Sequence, residues 1–85
     1  MDLKEQFGKA VIDSKNLPAK PGNETLLQLY SLYKQSIEGD VNTEAQSNPF
    51  DFVAKAKHEA WEALKGKSKE EAMVEYVKLV ERLKG

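Results

Sequence analysis

Eighty-five residues, 40% hydrophobic and 32% charged, make one small domain of ordinary globular balance, not a disordered tail. The absence of cysteine excludes a disulfide framework, a thiolate metal site and a cysteine nucleophile, so any core must close by packing alone. A net charge of −1 argues against a general nucleic-acid binder, although a local cluster drawn from the thirteen basic residues is enough to hold a small anion.

The first predicted helix runs from about Leu3 to Lys15, with Leu3, Phe7, Val11 (or Ala10) and Ser14 on one face. It stops before Asn16-Leu17-Pro18, and Pro18 and Pro21 hold the following residues extended. The opening MDLKEQFGKA mixes acids with bases and has no apolar block, so it does not read as a signal peptide. No run approaches the ~18 apolar residues of a membrane span. The default expectation is a soluble cytoplasmic protein with no stable membrane insertion.

Asn23 is placed to N-cap the second helix, with Glu24 favourable in its first turn. This segment carries Leu26, Leu27, Tyr30, Tyr33, Lys34 and Ile37 and ends at Gly39. Tyr30 and Lys34, four residues apart, share one stripe of the helix. A ring there can stack on a base and the neighbouring ammonium can pair with a phosphate. The plainer alternative is a core tyrosine beside a solvated lysine.

Residues Asp40 to Asn48, rich in Asn, Ser, Thr and Gln and closed by Pro49, predict a loop. A third helix follows over about Asp51 to Leu64, with Phe52 or Val53, Ala56, Ala60, Trp61 and Leu64 as its apolar positions, and Gly66 ends it. Ser68 with Glu71 forms a capping box for the fourth helix, because each side chain satisfies the other residue's free backbone N–H. Ala72, Met73, Tyr76, Val77, Val80 and Leu83 then give the clearest helical period in the chain. With no strand-like alternation and no internal repeat, the pattern predicts an all-α four-helix bundle.

Catalytic signals are weak. His58 is the only histidine and stands on a helix between Lys57 and Glu59, without the partners of a triad or a closed metal-ligand set. Nothing resembles a Walker loop or a dinucleotide fingerprint. Binding is better supported: Lys15, Lys20, Lys34, Lys55 and Lys57 come from three segments, with tyrosines at 30, 33 and 76, and a compact bundle can gather some of them at one mouth. The competing reading is that these lysines only solvate the surface.

Ordered matches at near-constant spacing carry a more specific signal. They are Phe7 and Lys15, Lys20-Pro21, Leu27, Tyr30-Ser31-x-Tyr33-Lys34-Gln35 and Gly39-Asp40-Val41-Asn42-Thr43. Asp51-Phe52, Lys55-Ala56-Lys57, Ala60-Trp61, Leu64-Lys65-Gly66-x-Ser68 and Ala72-Met73-x-x-Tyr76 complete the set. Over essentially its whole length the chain resembles the acyl-CoA-binding proteins, small four-helix carriers of long-chain acyl-CoA thioesters. The resemblance implies one domain over residues 1–85 in an up-down-down-up bundle, a monomer, no catalysis and no cofactor. Long-chain acyl-CoA is the implied ligand, with transient contact to acyl-CoA-using enzymes or membranes.

The same resemblance places Tyr30, Lys34, Lys57 and Tyr76 on the CoA head group and Lys15 as a further ligand-contacting lysine. The segment Tyr30, Ser31, Leu32, Tyr33, Lys34 would line the site, although Tyr33, one ridge over, is expected in the core. Rings would cover the adenine, lysines would meet the ribose 3′-phosphate, and the acyl chain would lie in a groove. The stretch Gly39 to Thr43 would shape a loop and not touch ligand. The chemistry is consistent: charge-assisted hydrogen bonds are worth roughly 1.5–3 kcal/mol each. Stacking on a base is worth roughly 1–3 kcal/mol, and each buried methylene adds at most about 0.8 kcal/mol.

Three departures from the family pattern bear on affinity and chain-length preference. His58 stands where a tryptophan is common, Val53 where many members carry a lysine, and the loop Ala45 to Phe50 is one residue longer. Two other functional classes stand beside the carrier reading. One is a structural or protein-interaction bundle, and the other is an enzyme fused to such a module. The latter is disfavoured because the chain stops directly after the fourth helix.

Overall fold

The computed structural model describes residues 2–41 and 51–85, and in them the chain forms four α-helices and no strand. These are α1 (Leu3–Ser14), α2 (Asn23–Glu38), α3 (Phe52–Glu62) and α4 (Lys69–Lys84). The expected loop falls outside the described residues except for Asp40 and Val41, as does the longer stretch from Ala45 to Phe50.

Polar side chains set most helix starts. The Asp2 carboxylate accepts from the Glu5 N–H at 2.8 Å, and the Asp51 carboxylate accepts from the Ala54 N–H at 3.0 Å. The Ser68–Glu71 capping box is present in both directions. At α2 the expectation shifts by one residue: Gly22 occupies the cap position without a side-chain bond, and Asn23 is already helical. At its other end α3 stops at Glu62, two residues short of the predicted Leu64. There the backbone tightens, with Leu64 N–H donating to Trp61 O and Lys65 N–H to Glu62 O. The Gly66 N–H leaves the helix pattern and donates to the Asp40 carboxylate at 2.8 Å, with Gly66 at φ +97°.

The helices pack in the row α3, α2, α4, α1: α2 lies against both α3 and α4, and α4 also carries α1. The result is a slab of 40 × 28 × 15 Å. Its core is Phe7 and Ala10 of α1, Leu29 and Leu32 of α2, and Ala72, Tyr76, Leu79 and Val80 of α4. Burying each large apolar side chain contributes roughly 1.5–3 kcal/mol.

The inner face of α2 differs from the predicted stripe. Its buried residues are Leu29, Ser31, Leu32, Gln35 and Ser36, whereas Leu26, Tyr33 and Ile37 are exposed. Because α2 is flanked by two helices, no single apolar stripe describes it. Part of its buried face is polar: the Gln35 amide nitrogen and the Ser36 hydroxyl donate within the fold, while Gln35 Oε1 is buried without a partner among the described residues. Gln35 Nε2 donates to the Asp40 carboxylate at 2.9 Å and to Lys67 O at 2.6 Å, and Ser36 Oγ donates to Leu32 O. Tyr33, expected in the core, is 37% exposed, although its ring stacks on Phe7 at a centroid distance of 6.0 Å.

Candidate ligand site

A cavity of about 230 Å³ opens where α4 bridges α1 and α2, lined by Val11, Ser14, Lys15, Leu29, Tyr30, Tyr33 and Tyr76. Four of the residues singled out from the sequence (Lys15, Tyr30, Tyr33 and Tyr76) therefore meet at one mouth. Tyr76 forms its floor. The Tyr76 ring packs edge-on to Phe7 at 5.2 Å and its hydroxyl donates to Ser14 Oγ at 3.1 Å. Ser14 Oγ in turn donates to Val11 O, so the chain of donors ends on a backbone acceptor. Burial pushes the Tyr76 phenol above its ordinary value, so it stays a neutral donor at physiological pH.

Lys57 reaches this mouth from α3. Its Nζ lies 5.1 Å from the centroid of the Tyr30 ring, within the range of a cation–π contact. Neither Lys15 nor Lys57 forms an ion pair with a described residue.

Lys34 behaves differently. It does not line the cavity; it forms an ion pair with Glu38 one turn along α2, and its Nζ lies 5.0 Å from the Trp61 ring centroid. The Glu38 carboxylate, chiefly through this hydrogen bond, raises the Lys34 pKa above its ordinary value. Trp61 is itself buried and fixed, because its Nε1–H donates to Gly39 O at 2.9 Å. Ser31 and Leu32 point elsewhere in the slab. Ser31 is buried with its hydroxyl donating to Gln28 O, and Leu32 belongs to the core. Both line a separate cleft of about 710 Å³ between α2 and α4.

An apolar groove of about 380 Å³ adjoins Lys57, walled by Leu26 and Leu27 of α2 and by Phe52, Val53 and Ala56 of α3, with Asn23 at one edge. Phe52 and Val53 are 73% and 65% exposed, an unusual solvent exposure for such side chains at neighbouring positions. The helical period counts Phe52 or Val53 among the apolar positions of α3, and the row arrangement leaves both on the groove wall. Lys57 belongs to this wall and also covers Tyr30, so it joins the apolar groove to the tyrosine-lined cavity. Val53 thus places an apolar side chain in the groove at one departure from the family pattern. His58, another departure, is largely covered, with Nδ1 3.8 Å from the Glu62 carboxylate.

The arrangement offers aromatic faces and ammonium groups at one end and an apolar trough at the other. Among the described residues no group of three or more His, Cys, Asp or Glu side chains is placed to hold a metal ion. No helix among them is long and apolar enough to cross a membrane.

Comparison with known proteins is consistent along the whole chain. A family model described as "Acyl CoA binding protein" matches residues 4–80. An acyl-CoA-binding protein of Gossypium hirsutum is 47% identical over 83 residues, covering 98% of this chain and 92% of the relative. The crystal structure of Oryza sativa acyl-CoA-binding protein 2 superposes with a TM-score of 0.90 at 41% identity, covering 96% of this chain and 90% of that one. The structure of an acyl-CoA-binding protein from Moniliophthora perniciosa gives 0.83 at 38% identity, over 93% and 76% of the two chains.

Proposed function

We propose, from the premise that this chain belongs to the acyl-CoA-binding protein family, that it carries long-chain acyl-CoA thioesters and leaves them chemically unchanged. The observation that carries the residue-level reading is the junction at Lys57. One side chain both walls the apolar groove and covers the Tyr30 ring at the head-group cavity. A thioester ligand has the same division, with a flat base and phosphates at one end and a hydrocarbon chain at the other.

In this reading Tyr30 offers its face to the adenine, and Tyr76 and Tyr33 back the cavity. Lys15 and Lys57 meet phosphates, joined by Lys34 once it turns from Glu38. The acyl chain lies along Leu26, Leu27, Phe52, Val53 and Ala56. Ser31 and Leu32 serve by holding α2 in register and do not touch the ligand. The protein acts as a monomeric cytoplasmic buffer of the acyl-CoA pool and hands its cargo to enzymes or membranes through transient contacts.

Calorimetric titration with palmitoyl-CoA, a short-chain acyl-CoA, free CoA and palmitate tests this. Palmitoyl-CoA binds tightest, because head-group pairing and tail burial add. Palmitate binds far more weakly, because the cationic and aromatic end has nothing to hold. No saturable binding by any CoA ligand overturns the carrier reading, and equal affinity for palmitate and palmitoyl-CoA overturns the assigned role of the head-group cavity.

A further inference from the structure

We infer that Glu38 sets the affinity of this site by competing with the ligand's phosphate for the Lys34 ammonium; the inference rests on the carrier reading above. Among the described residues, Lys34 is the one of the three head-group lysines engaged by a carboxylate, with side-chain exposures of 28% for Lys34 and 35% for Glu38. Lys15 and Lys57 have no ion-pair partner among the described residues. The pair also seats the ammonium over Trp61, which is pinned to Gly39 O, so Lys34 is parked against the α2–α3 junction and away from the cavity of Lys15, Tyr30, Tyr33 and Tyr76.

Helix electrostatics argue that Glu38 is not there to stabilise α2. It is the last helical residue, and the carbonyl end of a helix disfavours negative charge. The order Lys then Glu at i, i+4 is the less favourable one, so the pair is a weak latch. A phosphate brings a higher charge than a carboxylate and displaces it. Bound ligand then leaves Glu38 without its cation, and that loss lowers the net affinity.

The test is titration of free CoA and of dephospho-CoA, which lacks the ribose 3′-phosphate, into the wild-type chain, Glu38→Gln, Lys34→Ala and the double variant. Circular dichroism melting confirms that each is folded. Glu38→Gln tightens CoA binding by about two- to fivefold, the equivalent of releasing one exposed ion pair. The gain disappears in the Lys34→Ala background and is smaller for dephospho-CoA. Glu38→Gln binding CoA no more tightly than wild type overturns the inference. So does a gain of the same size without Lys34, which would show a general charge effect. Failure of wild type to bind any CoA ligand is a different result and removes the carrier reading itself.

Discussion

The Lys57 ammonium lies over the Tyr30 ring, 5.1 Å from its centroid, and this contact links α3 to α2 at the boundary between the polar cavity and the apolar groove. Both side chains sit at the surface end of their helices' packing, so their removal separates binding from folding. Lys57→Ala weakens acyl-CoA binding about tenfold, in keeping with the loss of one partly solvated charge-assisted hydrogen bond. Tyr30→Leu does so by a similar factor through lost stacking. Titration calorimetry reads the affinities. Thermal midpoints close to wild type show that the loss is not one of fold.

Phe52 is the most exposed large apolar residue among those described, yet it forms part of a groove wall. Its truncation to Ala should loosen palmitoyl-CoA several-fold while leaving free CoA unchanged, because only the tail reaches the stretch of groove wall that Phe52 forms. An equal loss for both ligands would place the acyl chain elsewhere.

Trp61 joins α3 to the end of α2 through its bond to Gly39 O. Trp61→Phe keeps the aromatic bulk but leaves that carbonyl without its donor, at a cost of about 1–3 kcal/mol. Urea unfolding followed by circular dichroism measures it. A loss well under this range would show that solvent replaces the indole N–H.

Asp40 accepts from the Gly66 N–H at 2.8 Å and from Gln35 Nε2 at 2.9 Å. These donors, Gly66 first, hold its pKa below the ordinary 3.8. A carboxylate depressed in the folded state contributes stability that is fully present above its unfolded pKa and is lost as pH falls through the folded value. Stability should therefore drop below about pH 4, and Asp40→Asn should make that drop shallower. Denaturant midpoints measured from pH 5 to pH 2 decide this, and identical slopes for the two proteins would remove Asp40 from the acid response.

The helices were legible because their signals are local. The Ser68–Glu71 box, the glycine stop after Glu38 and the period of α4 all act within a few residues, and each appears where the sequence places it. The inner face of α2 was not legible. Hydrophobicity points to Leu26, Tyr33 and Ile37, whereas the buried positions include Gln35 and Ser36, whose donors find acceptors as distant as Lys67 O. The end of α3 also involves a distant partner: after Glu62 the backbone tightens, and Asp40, twenty-six residues before Gly66, takes the Gly66 N–H.

For the site, residue types at fixed spacing and the family resemblance were enough to nominate Lys15, Tyr30, Tyr33, Lys34, Lys57 and Tyr76, because charge and aromaticity are properties of single side chains. The sequence by itself thus determined the helices, the family and the chemical repertoire. Tertiary structure alone decided which of those groups share a mouth. It brought Lys15 to Tyr76 across α1 and α4, set Lys57 on Tyr30, turned Ser31 and Leu32 to the opposite cleft, and gave Lys34 to Glu38 and Trp61. Those outcomes depend on the order in which helices pack, a long-range choice that no local periodicity encodes.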